Sequence, residues 1–144
     1  MMFKTKERKT KSIGKLKKEC LLLLSKYVRL RDCLRTTGTL THCKCISCMR
    51  LIDYKTAQAG HLVDRRHSAT LFNLVNVNAQ CPRCNIFLDG NILQYRRALI
   101  ALYGEEAVNE LEDMATEIKH FTVDELLNLK EEFTQKIKEL ESNY

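Results

Sequence analysis

The chain has 144 residues, of which 44% are hydrophobic and 29% charged, with five glycines and one proline. That composition fits one ordinary folded domain, being too short for two full cores and too apolar for a disordered chain. Apolar runs such as Cys20 to Leu24 fall far below the roughly 20 residues that span a bilayer, and no apolar signal core follows the basic start. The expectation is an intracellular, cytoplasmic protein without a membrane partner.

Charge is distributed unevenly. Residues 1 to 103 carry 20 Lys/Arg against 6 Asp/Glu, and residues 104 to 144 carry 4 against 12, so the two parts stand at +14 and −8. A surface that basic attracts a polyanion by releasing counterions, which makes nucleic acid the natural partner of the first two thirds. The acidic remainder points to some other role.

From Met1 to about Lys18 there are eight Lys/Arg and a single acid, Glu7. Residues 1 to 15 are read as a flexible basic arm, which either clamps DNA phosphates or is a tail without a specific role. One domain then runs from 16 to 144. Over 16 to 36 the apolar residues Leu16, Cys20, Leu23, Leu24, Tyr27, Leu30 and Leu34 recur at helical spacing, predicting an amphipathic helix with a basic face. Lys15, Lys17 and Lys18 are candidate DNA contacts at its start. Cys20 and Cys33 read as small core residues. Gly38 and the Thr-rich segment around it end the helix.

Residues 43 to 103 carry the strongest signals. Cys45 and Cys48 form one CxxC pair, Cys81 and Cys84 another, with 32 residues between them. In a reducing compartment such pairs suggest a metal rather than disulfides, and two knuckles offer the four thiolates of a tetrahedral structural zinc. Cys43 is left outside that set. Between the pairs, a short apolar segment ends at His61 and turns basic at Arg65 and Arg66, which a strand running into a loop would produce. The run 71 to 81 alternates around Leu74, Val75 and Val77, predicting a second strand. Asn85 directly follows Cys84, and a helix from Asn91 is stopped by Gly104. The fold class expected is α+β and mainly helical.

The last stretch, 105 to 141, reads as a helical extension of two helices, about Glu105 to Ile118 and Thr122 to Glu141. Thr122 and Glu125 have capping-box spacing. Leu126, Leu129, Phe133, Ile137 and Leu140 form a stripe that either packs on the N-terminal helix or makes a homodimer contact.

Taken together, Y-V-R-L-R-D, C-I-S-C, A-G-H, N-V-N-A-Q-C-P-R-C-N, D-G-N with Y-R, and Y-G-E-E-A-V-N-E-L-E resemble the phage lambda NinG/Rap recombination endonucleases. These lie within the HNH or ββα-metal nuclease superfamily. The resemblance implies a zinc-stapled ββα-metal core, with His61 as the first His of the motif, Asn76 as its central Asn and Asn85 as its final position. His61 would be the general base, because an imidazole near its ordinary pKa accepts a proton from water at neutral pH. Asn85, with Asp64, His67 or His61 itself, would hold a catalytic Mg²⁺ or Mn²⁺. Asn76 would fix the loop through backbone bonds, and Arg65 and Arg66 would grip phosphates. Gly60 stands where many HNH enzymes have a metal-binding acid or His, which leaves a ligand unassigned, and Asn78 stands where relatives often have His. The implied reaction is hydrolysis of branched recombination DNA, such as Holliday junctions or displacement loops. Against it stand a non-catalytic zinc-stapled DNA-binding module and an HNH nuclease that nicks linear duplex.

Overall fold

The computed structural model describes residues 12–144. Helix α1 spans Ile13–Thr37; Ser12 Oγ accepts the Lys15 N–H at 3.2 Å as its N-cap, and Gly38, at φ 71°, closes it in the left-handed conformation. A serine cap of this kind satisfies a donor that the first helical turn leaves free. The helix therefore begins before residue 16. It takes in the end of the expected arm, whose other residues, 1 to 11, lie outside the described residues.

Strands β1 (His42–Lys44) and β2 (Leu51–Asp53) form an antiparallel hairpin around the first CxxC pair. The sequence carries no signal for this hairpin, because three-residue strands hold too little alternation to register. Strands β3 (Gln58–His61) and β4 (Val77–Gln80) pair antiparallel, with Gly60 opposite Asn78 and His61 opposite Val77. The expected strand over 71 to 81 is thus only four residues long. Asn73 is responsible: its Oδ1 accepts the N–H groups of Val75 at 2.9 Å and Asn76 at 3.2 Å, turning the chain where a ladder would otherwise begin.

Helix α2 (Ile92–Tyr103) stops at Gly104 as predicted, and α3 (Glu105–Met114) packs back against it through Tyr95, Leu99, Val108 and Leu111. Helix α3 ends four residues short of the expected Ile118, with Thr116 Oγ1 closing on Asp113 O at 2.8 Å. Helix α4 (Val123–Ser142) opens with the reciprocal Thr122–Glu125 capping box. Leu126, Phe133 and Ile137 of its stripe are buried, and α4 lies along α1 over Leu16, Cys20, Leu24 and Val28. Each such side chain taken out of water is worth about 1.5–3 kcal/mol. The stripe is therefore covered within one chain and is not a free dimer seam. Among the described residues, no helix is long and apolar enough to cross a membrane.

What joins α1 to the β3–β4 pair is polar. Asp32 is 1% exposed; its Oδ1 accepts from Arg31 Nε at 2.8 Å and Arg35 Nη2 at 2.9 Å, and its Oδ2 from the Ala79 N–H at 2.7 Å. Arg31 also donates to Leu74 O at 2.9 Å and Val77 O at 2.8 Å. Side chains of α1 thus meet the outer edge of β4 much as a third strand would, closing an edge that a two-stranded sheet leaves open. Removing one member of a buried charge cluster strands the others, at a typical cost of about 3–5 kcal/mol. Asp32→Ala should therefore lower unfolding stability by that amount in chemical denaturation. A loss below about 1 kcal/mol, the scale of an exposed pair, would mean that the cluster does not hold β4.

Candidate functional site

The hairpin turn and the segment after β4 bring the two CxxC pairs together. The Sγ atoms of Cys45, Cys48, Cys81 and Cys84 all lie within 4.8 Å of one another, with Cys48 and Cys81 at 3.7 Å. Four thiolates placed about 2.3 Å from a tetrahedral zinc stand about 3.8 Å apart, so the set is positioned to bind a metal ion and is consistent with zinc. Backbone and side-chain N–H groups already face the sulfurs: Cys84 N reaches Cys81 Sγ and Asn91 Nδ2 reaches Cys84 Sγ, each at 3.4 Å. Burial pushes the Cys45 thiol up to about 12, so its proton leaves when a cation takes its place. Cys43 sits instead beside Cys33, Ala57 and Ala79 in a separate apolar cluster, and Cys20 and Cys33 are core residues as expected.

Next to this cluster, a cavity of about 360 Å³ is lined by His61, Asp64, Arg65, Asn85, Asp89 and Ile92, among others. His61, at the end of β3, points its Nε2 at Leu71 O, 3.0 Å away. A carbonyl only accepts, so Nε2 carries the proton and Nδ1 keeps its lone pair. Burial lowers the pKa of His61, which keeps the ring neutral at pH 7. Asn76 is fully buried and clasps the loop after His61: its Oδ1 accepts Val63 N at 2.8 Å, and its Nδ2 donates to Val63 O at 2.9 Å and Thr70 O at 3.0 Å. It lies behind the cavity and does not line it.

Asn85 does not open a long helix. It sits in a single wide turn, Arg83–Phe87, with π-helical bonding, and α2 begins only at Ile92. Its Nδ2 donates to Gln58 Oε1 at 2.8 Å, which leaves Oδ1 without a hydrogen-bond partner among the described residues. Asp64 reaches the cavity, but Arg66 engages both of its oxygens, at 2.8 and 3.1 Å, and holds its carboxyl down at about 2. Arg66 is correspondingly tied to Asp64, whereas Arg65 lines the cavity. Lys15, Lys17 and Lys18 lie in the first turns of α1, where Lys17 Nζ stands 5.5 Å over the Phe121 ring; none of the three lines the cavity. His67 turns its Nδ1 to Ala115 O at 3.2 Å.

Sequence reasoning misses Asp89. Its carboxylate shares the cavity with His61 and Asn85, presented by a backbone at φ 47°. The available signal is the D-G-N turn following the second CxxC pair, since Asp and Asn tolerate the left-handed region and Gly adopts it freely. The structure also shows what surrounds Gly60 and Asn78. A Cβ on Gly60 would stand 1.7 Å from Gln80 Oε1, and Gln80 is fully buried with its Nε2 bonded to Ser47 Oγ and Gly90 O, each at 2.8 Å. Asn78 is likewise buried, between Arg31, Arg35 and the Tyr95 hydroxyl, and does not line the cavity.

The family model described as Bacteriophage Lambda NinG protein matches residues 1–143. The chain belongs to the lambda NinG family. It is 36% identical over 100 residues to protein ninG of Escherichia phage lambda, covering 69% of this chain and 48% of that protein. It is similarly 35% identical over 100 residues to protein ninG of Escherichia phage 933W, covering 69% and 49%. With protein ninG of Salmonella phage P22 it shares 36% identity over 98 residues, or 67% and 47%. The chain thus spans about half the length of the curated NinG relatives it matches. No solved structure matches it.

Two measurements check the site as a structure. The purified chain should carry one zinc, and chelation should release it and unfold the knuckle region, visible as lost circular dichroism and a lowered melting temperature; a chain free of metal with unchanged stability would refute the centre. Gly60→Ala should drive Gln80 from its seat at a cost of about 1–3 kcal/mol, the usual penalty for overpacking, read as a lower denaturation midpoint. An unchanged midpoint would show that Gln80 moves freely.

Proposed function

We propose that this NinG-family chain is a metal-dependent DNA endonuclease that hydrolyses phosphodiesters, with His61 as the general base. The observation that carries this reading is the meeting of His61, Asn85 and Asp89 in one cavity, with the imidazole held as a neutral base by Leu71 O. His61 Nδ1 takes a proton from water while the water oxygen bonds to phosphorus and the bond to the 3′ oxygen breaks. That oxygen is protonated by solvent. The products are a 5′-phosphate and a 3′-hydroxyl.

Asn85 Oδ1 and the Asp89 carboxylate are hard oxygen donors of the kind that hold Mg²⁺ or Mn²⁺, and Asp89 supplies the ligand that Gly60 does not. Such an ion, held there, would stabilise charge on the phosphate and leaving oxygens. Asp64 is the weaker candidate, since its oxygens are already engaged by Arg66. Arg65 at the cavity rim is placed to grip a flanking phosphate. The basic character of residues 1 to 103 supports DNA as the partner.

Branched recombination DNA is the substrate that the family resemblance favours. Cutting both strands of a branch calls for two sites, for which a homodimer is the simplest arrangement. With the α4 stripe covered, its contact would have to lie elsewhere.

The decisive experiment is cleavage of a labelled four-way junction and a matched linear duplex, with Mg²⁺ or Mn²⁺, by wild type, His61→Ala, Asn85→Ala and Asp89→Ala, each with its zinc verified. Metal-dependent cutting of the junction should fall about 10²–10⁴-fold in His61→Ala, the range general-base catalysis supplies. Tight binding without cutting under either metal would leave a zinc-stapled binding module, and equal cutting of both DNAs a duplex nickase. In wild type, the rate should rise with pH and level off once His61 is neutral. Because its pKa is lowered, the midpoint of this acid limb should fall below the ordinary histidine value of about 6.5.

A further inference from the structure

The turn that delivers Asn85 and Asp89 to the cavity also displays apolar side chains to water. Within eight residues, Ile86 is 56% exposed, Phe87 79%, Leu88 44%, Ile92 44% and Leu93 63%. Single exposed apolar residues are ordinary, but five within one short turn and the first residues of α2 mark an interaction site. The ridge adjoins the proposed active site: Ile86, Phe87 and Leu88 lie between two cavity residues in sequence, and Ile92 lines the cavity itself.

The ridge is also held in place. Leu88 N bonds to Arg83 O at 2.9 Å and Gly90 N to Cys84 O at 2.8 Å, Gly90 O accepts from Gln80 Nε2 at 2.8 Å, and Asn91 Nδ2 rests on Cys84 Sγ at 3.4 Å. Phe87 thus projects from a turn anchored to the four-cysteine cluster and to buried Gln80. Such a base can insert an aromatic ring without giving way.

Charge decides the partner. The segment 81 to 103 has three arginines and one acid, Asp89; Arg96 is paired with Glu112 of α3 at 2.9 Å, which leaves Arg83 and Arg97 to carry the positive charge. Arg83 shares the turn with Phe87, and both it and Arg97 on α2 are exposed. An apolar ridge flanked by arginines suits a base face bordered by phosphates. Inserted apolar side chains pry apart base steps, and aromatic rings stack on bases that have lost a neighbour.

We propose that Phe87, flanked by Ile86 and Leu93, is a wedge that stacks on an unstacked base at a break in the helix, such as a branch point. It thereby brings the adjoining phosphodiester to the His61 cavity. This rests on the nuclease reading and extends it: discrimination between branched and continuous DNA lies in the wedge, because opening an intact stack costs energy that a branch has already spent.

The test places 2-aminopurine, whose fluorescence rises on unstacking, at the branch point of a four-way junction and at the matched position of a linear duplex. Binding is followed in the His61→Ala background, so that the DNA stays intact. The protein with Phe87 should raise the junction signal several-fold and leave the duplex signal flat. Phe87→Ala should abolish the rise and weaken junction binding about tenfold, the scale of one base–aromatic stack, while Phe87→Trp restores both. Since Phe87 is mostly exposed, unchanged zinc content and melting temperature serve as the folding control.

A junction signal that rises equally with and without the Phe87→Ala substitution would overturn the wedge. So would a Phe87→Ala change confined to sedimentation mass, which would make the ridge a contact between two copies of the chain. In either case wild-type cutting of the junction would leave the nuclease reading standing, whereas failure of the protein both to bind and to cut DNA would sink the two together.

Discussion

The carboxylate of Asp32 is the constraint on which the site depends. It lies buried under Arg31 and Arg35 and accepts the Ala79 N–H on the outer edge of β4. A buried charge is tolerated only when its partners are in place, which allows α1 a single position along β4. The same cluster reaches further through Asn78, whose Oδ1 accepts from both arginines and whose Nδ2 meets the Tyr95 hydroxyl; that hydroxyl donates to Gly60 O at 2.7 Å. One polar chain therefore connects α1, β4, α2 and the backbone immediately before His61. Burial pushes the Tyr95 phenol up, so it remains a donor to Gly60 throughout the physiological range.

The second staple is the four-cysteine cluster, and its influence on the site runs through the backbone. Cys81 and Cys84 open the wide turn that carries Asn85, while Asn91 and Gly90 bond back to Cys84. Gln80 ties the other knuckle, through Ser47, to Gly90. Asn85 and Asp89 are thus set by a short turn gripped at both ends, and the loop after His61 by Asn76. Catalytic geometry benefits when its supports are themselves locked in this way.

Charge contributes little to the attachment of α4. Helix α4 sets Glu141 against Lys26 at 3.1 Å and Lys130 against Glu19 at 3.1 Å, both across to α1. Pairs this exposed contribute at most about 1 kcal/mol. The buried stripe of α4 accounts for the larger share of the attachment. The net positive charge is carried by the part of the chain that also holds the cavity.

How much can be read from the sequence follows from the range of each interaction. The four long helices, the capping box at Thr122, the stop at Gly104 and the pairing of the CxxC motifs depend on spacing along the chain, and all of these are legible there. So are His61 and Asn85 as neighbours, through the resemblance to a known motif. The β1–β2 hairpin is not, because three residues leave no periodicity. The truncation of β4 is hidden by Asn73, whose side chain bonds two backbone groups that the pattern of apolar residues does not report. By itself the sequence determined the helices, the cysteine set positioned to bind a metal and the basic character of the first two thirds. Only the tertiary structure decided which proton His61 carries, since that depends on a carbonyl ten residues away; that Arg66 occupies Asp64; and that Asp89 joins the cavity. Each of these turns on hydrogen bonds and backbone turns between residues whose spacing has no period. Helices and knuckles repeat along the chain, whereas a site is assembled across it.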